Sequence, residues 1–293
     1  MKLLTTLYDI GAMKEMSAFV DGYIIGNKQF GARLTHSFEI NEINQAIKLA
    51  KTLNKEIFLQ ANQMLDDVLI EQFDKFLDHI HLTELTGVVV ADIGAVVLLK
   101  SKGYQHKAIY NPETLLTNLY DFNFLASEGI LGAYVAKEIT LDDVIEISQH
   151  KKIKLFMTGH GHLNMFYSKR QLVNNFMDYV EDENQYHEKQ NLKIIEEQRK
   201  DEPYPILEDQ AGTHVFRSHV FASLSYLDRL KDHIDYLVID TIFKDDKYAK
   251  KVTEMYHHQQ VDEKEIKLLQ NQYQESWDEG FFFKKTVYKT KES

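Results

Sequence analysis

Short apolar runs alternate with amphipathic stretches along most of this chain, and the two periods predict alternating strands and helices. Residues 2–7, 22–26, 56–62, 87–92, 107–110, 132–136, 154–157 and 236–240 are short apolar runs bounded by polar or glycine-bearing breaks, and they read as strands. Helical spacing fills the intervals at 12–19, 42–53, 66–80, 93–100, 114–128, 141–149, 223–230 and 248–259. In 42–53 the apolar face is Ile43, Ala46, Ile47 and Ala50; in 66–80 it is Val68, Ile70, Phe73, Phe76 and Leu77. Thr140 precedes Asp142 and Asp143, a cap followed by acids where the helix dipole favours negative charge.

Three stretches depart from this rhythm. Residues 204–216 predict a β-hairpin turning at Gln210-Ala211-Gly212. After the strand at 154–157, Thr158-Gly159-His160-Gly161-His162 carries two glycines and predicts a tight turn. Residues 178–202 are dense in Glu, Gln, Asn and Lys without a core pattern, which predicts a solvated helix or a mobile insertion. The aromatic tail Trp277–Phe283 is expected to dock on the body.

A βα unit recurring every roughly twenty to thirty residues predicts a parallel sheet, and so long a run favours closure over an open sheet. The expected fold is α/β: a (β/α)8 TIM-barrel-like core with a small β-hairpin-containing C-terminal elaboration. Residues 1–260 would form the barrel, with the polar insertion at about 178–202, and 261–293 a tail packed on it. No Gly-x-Gly-x-x-Gly follows the first strand, which argues against a dinucleotide-binding sheet.

Composition narrows the chemistry. The chain has 293 residues and a net charge of −11, which disfavours generic electrostatic binding of nucleic acid by the isolated chain. It has no cysteine, so disulfides, thiolate nucleophiles and cysteine-held metal or iron–sulfur sites are impossible within it. The N-terminus lacks a signal-peptide pattern and no run approaches a membrane span, so a cytoplasmic location without membrane attachment is expected.

Strand ends are where α/β enzymes place chemistry. Asn62 and Asp92 end apolar strands and are expected at the barrel mouth, unless they cap the next helix. Arg33 follows a glycine-containing loop, and its planar fork suits either a bound carboxylate or phosphate or a structural salt bridge. His160 and His162, two apart, share a face on an extended segment, but spacing supplies no third ligand, and no metal is expected. No Gly-x-Ser-x-Gly or zinc-protease helix is present.

The stretch 154–175 resembles the signature of peptidase family U32, the collagenase-like proteases. His160, Gly161, Leu163, Tyr167, Ser168, Arg170 and Asn175 fit it, Val173 replaces a leucine, and the family's cysteines fall on Asn164 and Gln171. Residues 22–33, Asn62, the Val90–Gly94 segment, Asn118, Glu138 and the blocks 218–230 and 236–256 extend the resemblance. The last block departs, with Val238, Thr241 and Ile242 in place of the usual Lys, Gly and Arg; Asp240 keeps an acid.

The resemblance implies the same barrel. It implies His160, Asp92 and Arg33 as catalytic candidates, and Asn62, Asn118, Glu138, Tyr167, Ser168 and Arg170 as substrate-binding ones. It also implies a cysteine-free branch that acts beside a cysteine-bearing paralogue in 5-hydroxylation of the tRNA wobble uridine. In that system prephenate is implicated, and an iron–sulfur cluster belongs to the partner alone. A collagenase-like peptidase and a non-catalytic scaffold are the alternatives.

Overall fold

The computed structural model describes residues 1–182 and 186–284. Eight strands close into a parallel barrel: β1 (Lys2–Thr6), β2 (Gly22–Gly26), β3 (Glu56–Ala61), β4 (Gly87–Val90), β5 (Ala108–Tyr110), β6 (Gly132–Tyr134), β7 (Lys154–Ser168) and, after an excursion, β11 (Tyr236–Ile239). β11 pairs with both β1 and β7, which leaves the ring no free edge. Helices α1 (Met13–Met16), α2 (Ile40–Thr52), α3 (Asp67–Asp78), α4 (Ile93–Ser101), α5 (Leu119–Ser127) and α6 (Leu141–His150) follow the first six strands.

Alternation along each strand sorts two cores. Leu4, Ile24, Phe58, Val89, Ile109, Tyr134, Phe156, Tyr236 and Val238 point inward and plug the barrel. Phe156 and Tyr236 stack at 4.4 Å, with Phe58 edge-on to both. Their neighbours Leu3, Ile25, Ile57, Val88 and Leu155 point outward into the larger core beneath the helices. The plug makes the barrel a packed body with a floor under its C-terminal mouth.

The excursion is an arm. β7 does not turn at Thr158–His162; it runs on for fifteen residues. Its first part pairs in parallel with β6 and β11, and its second part pairs antiparallel with β10 (Gly212–Ala222). The glycines serve a bulge instead of a turn. Val238 and Ile239 pair with Thr158 and His160, leaving Gly159 as an extra residue. Gly161 has φ +134, and a Cβ there would sit 2.5 Å from the Asp240 carbonyl oxygen. Pairing on both edges of β7 fixes this conformation.

The arm continues through α7 (Leu172–Tyr179), β8 (Lys193–Glu196) and β9 (Arg199–Asp209). The polar stretch 178–202 is thus partly strand. β8 is exposed along its whole length, so no face required an apolar pattern. The hairpin turns at Gln210-Ala211 as expected, with a longer first strand. α8 (Leu227–Leu230), α9 (Asp246–His258) and α10 (Glu263–Tyr273) follow, and β12 (Trp277–Asp278) pairs in parallel with β10. Phe282 is buried against Phe221 and Tyr226; residues 285–293 of the expected tail lie outside the described residues. Two helix expectations are corrected. α5 starts at Leu119, not 114, because Asn118 caps it, and Val68, in the first turn of α3, is 64% exposed.

Candidate functional site

At the C-terminal mouth of the barrel lies a small polar cavity of about 60 Å³ above the aromatic plug. Arg33, Gln60, Asn62, Glu113, Lys137, His162, Asn164 and Asp240 line it. Each sits at or just beyond a strand end, except the two on the extended β7.

Arg33 is its centre and is held from every side. The loop after β2 places it at φ 55, in the left-handed region. Asn62 Oδ1 accepts from the Ala32 amide at 2.9 Å, and Gln60 Nε2 donates to the Ala32 carbonyl at 3.0 Å, so β3 clamps that loop. The Arg33 amide donates to Asp209 Oδ2 at 3.0 Å. Its guanidinium lies over the Tyr167 ring at 5.4 Å, reaches His214 Nδ1 at 3.4 Å and pairs with Glu113 Oε1 at 2.6 Å.

His214 is fully buried, with Nε2 at 3.0 Å from Asp209 Oδ1. A carboxylate only accepts, so the proton is on Nε2 and Nδ1 takes the Arg33 hydrogen bond. Burial pushes the His214 pKa down, against the pull of Asp209. For Asp209, burial pushes upward, but the His214 and Arg33 hydrogen bonds bring it below its ordinary value. A neutral imidazole therefore relays between a carboxylate and the guanidinium, and fixes the fork in one orientation.

The other lining groups differ in protonation. Burial pushes the Glu113 carboxyl up, but Arg33 and then Lys137, whose Nζ meets the second oxygen, outweigh it and hold the group at about 2. Asp240 accepts the Ile242 amide at 3.1 Å, and burial outweighs that bond and Arg33 to push it up to about 6. His162 Nδ1 donates to the Arg217 carbonyl at 2.9 Å, which leaves Nε2 unprotonated. Burial, then Lys244, lowers His162 to about 4. The mouth thus joins two cations, one carboxylate fixed as an anion, a second that titrates near 6, and a neutral imidazole. Two carboxyls whose environments drive their pKa values apart are the arrangement acid–base chemistry uses. The Arg–Lys pair is suited to a carboxylate or phosphate.

His160 is elsewhere. The bulge at Gly159 and the conformation of Gly161 undo the alternation, so His160 faces α9 while His162 faces the mouth. His160 is fully buried, with Nε2 at 2.7 Å from the Tyr248 hydroxyl. That hydroxyl donates onward to Glu275 Oε1 at 2.7 Å, so His160 Nε2 carries the proton. Trp277 Nε1 donates to the same oxygen at 2.6 Å, and Lys244 pairs with the other. Burial, then Lys244, lowers the His160 pKa to about 3. The shared-face expectation for the two histidines is overturned by a glycine bulge. Among the described residues no three His, Asp or Glu side chains converge as a metal site would require.

Of the catalytic and substrate-binding candidates, Arg33 and Asn62 line the mouth and Tyr167 packs on Arg33; His162 and Asp240, noted in the sequence for other reasons, line it too. Tyr167 also donates to the Ala211 carbonyl at 3.0 Å and stacks on His214 at 4.6 Å. The remaining catalytic and substrate-binding candidates do not join them. Asp92 caps α4, accepting from Gly94 at 2.7 Å. Asn118 caps α5, accepting from Tyr120 and Asp121. Glu138 is exposed one residue past the mouth-lining Lys137. Ser168 Oγ accepts the Arg170 amide at 3.2 Å, and Arg170 is exposed on the arm. Glu113, Lys137, Asp209 and His214 were not singled out. The strand-end rule points at Glu113 and Lys137, which follow β5 and β6 closely; nothing local in the sequence links Asp209 and His214 to Arg33.

Among the described residues there are two Ser–His contacts, Ser148–His233 at 2.6 Å and Ser276–His219 at 2.5 Å. Neither involves a residue that lines the mouth. The first joins the segments leading into β7 and β11, at the N-terminal end of the barrel.

Comparison with known proteins gives a consistent set. A sequence model described as Peptidase family U32 matches residues 12–291. The tRNA hydroxylation protein P2 of Bacillus subtilis (strain 168) is 25% identical over 93% of this chain and 94% of its own length. The tRNA hydroxylation protein P1 of the same organism is 22% identical over 54% of this chain and 37% of its own. The solved structure of the U32 peptidase Mk0906 superposes with a TM-score of 0.52 over 82% of this chain and 92% of that one, at 14% identity, a likeness of fold.

Proposed function

This chain belongs to peptidase family U32, and from that premise we propose that it is a subunit of a tRNA uridine 5-hydroxylation system. It acts in the cytoplasm beside a cysteine-bearing U32 paralogue, and its barrel mouth binds the system's small-molecule reactant. The observation that carries this reading is the near end-to-end similarity to the B. subtilis P2 protein. The partial similarity to P1 fits a paired system. Any iron–sulfur cluster belongs to the paralogue, because the donor set here holds no thiolate.

The geometry favours a carboxylate reactant, and prephenate is the candidate. Arg33 and Lys137 converge over Glu113, and a ligand carboxylate that takes Glu113's place meets the same fork and ammonium. The present cavity of about 60 Å³ is smaller than such a ligand, so binding requires Glu113 to swing away. Glu113 sits at φ 70, and a left-handed non-glycine residue is a site of stored strain that such a movement relieves.

The collagenase-like reading has less support. Among the described residues the mouth presents no serine beside its imidazole, and the sequence holds no thiol. The test is nucleoside mass spectrometry of total tRNA from a strain lacking the gene. Loss of 5-hydroxyuridine derivatives, restored by the wild-type gene, is expected. Full modification in the deletion strain, with no paralogue compensating, would overturn the reading.

A further inference from the structure

α7 is amphipathic but carries its apolar face outward. Leu172, Phe176 and Tyr179, spaced one and two turns apart, are 37%, 57% and 85% exposed, and Val180 just beyond is 45% exposed. Val173 and Met177, on the flank of that stripe, and Asn174 are half-buried. The helix is not a loosely held segment. The buried Glu208 carboxylate accepts the Val173 and Asn174 amides at 2.7 and 3.0 Å, and Thr213 Oγ1 accepts the Leu172 amide at 2.9 Å. A fully buried acid is thus committed to capping a helix whose outer apolar stripe meets solvent.

We propose that this stripe is covered by the α7 of a second copy of the chain, packed antiparallel across a two-fold axis. The charges at its ends argue for that occupant. Arg170 lies two residues before the helix and Glu181 two residues after it, and both are exposed. An axis through the helix midpoint sets Arg170 opposite the partner's Glu181, and repeats the pair by symmetry. The same operation lays Leu172 against the partner's Tyr179 and brings the two Phe176 rings together. The acids Asp178, Glu181 and Asp182 at one end disfavour a nucleic acid as the occupant. Two eight-residue helices bury less than the roughly 800 Å² per partner of a stable interface, so the pairing is weak, in the micromolar range or above.

Sedimentation of the purified full chain from micromolar to near-millimolar concentration tests this. A concentration-dependent monomer–dimer equilibrium is expected. Phe176→Asp, at an exposed position, abolishes it while thermal unfolding stays at the wild-type midpoint. Arg170→Glu and Glu181→Lys each weaken association about fivefold or more, and the double variant restores it, because opposite charges then face one another again. A chain that stays monomeric throughout, or a dimer indifferent to Phe176→Asp, overturns the proposal. So does failure of the double variant to restore pairing. A monomer that instead binds the cysteine-bearing paralogue or tRNA in a Phe176-dependent way also overturns self-pairing, and assigns the face to that partner.

Discussion

Two buried clusters of ionisable groups lie on either side of β7 and have opposite designs. At the mouth, Arg33, Glu113, Lys137 and Asp240 surround a cavity, and among the described residues Asp240 has one amide as its hydrogen-bond partner. Behind the strand, His160, Tyr248, Glu275, Trp277 and Lys244 form a buried hydrogen-bonded chain. The second cluster ties β7, α9 and the C-terminal segment together. The difference separates a group that lines a cavity from a group packed within the protein. Chemical type does not make that separation: a histidine stands on each side, two residues apart.

The sharpest break in the comparison is on the sealed side. Lys244→Ala leaves Glu275, 3% exposed, as an uncompensated buried acid and should cost about 3–5 kcal/mol in denaturant melts. No such loss would mean the cluster opens to water.

Next, His160 and Asp240, one from each side, should give stability opposite slopes with pH. His160 stays neutral in the fold, at about 3 against an ordinary 6.5. Its contribution is therefore complete above 6.5 and is lost as pH falls toward 3, by several kcal/mol, because only the unfolded chain takes the proton. Asp240, at about 6 against 3.8, does the reverse, and its contribution is lost as pH rises from about 4 through 6. His160→Gln should flatten the acid limb of the stability curve, and Asp240→Asn should stabilise the protein at neutral pH. Urea melts of the three proteins between pH 4 and 8 check both signs.

On the open side, Arg33→Lys keeps the charge but loses the fork that meets Glu113 and His214 together. The level of tRNA modification should fall about tenfold or more with a small change in stability. The smallest effect is expected from Asp92→Ala, which removes the cap of α4. It should cost about 1 kcal/mol in a melt and leave modification at the wild-type level.

How much of this was legible follows the range of the physics. The barrel was legible because each βα unit writes its own local period. The run of β7 through Thr158–His162 was not. Two glycines serve a turn or a bulge equally well, and pairing with β10 and β11, from far along the chain, decides between them. That one bulge also decides which histidine meets the mouth. The arm hid itself because β8 is exposed on both faces and needs no apolar alternation. At the mouth, Asn62 and Arg33 were legible as residues after strands. Glu138 and Asn118 drew attention in place of Lys137 and Glu113, since which residue of a loop turns inward is not written in its period. The relay that orients Arg33 comes from 176 and 181 residues away, which no local pattern records.

The most direct test of the division between the two sides is complementation of a deletion strain with Arg33→Ala and with His160→Gln, each confirmed to accumulate as folded protein. Nucleoside mass spectrometry of the tRNA reads the outcome. If the mouth is the working site, His160→Gln restores 5-hydroxyuridine derivatives to wild-type levels and Arg33→Ala does not. Restoration by Arg33→Ala together with failure of a folded His160→Gln would place the chemistry on the sealed side and contradict the division.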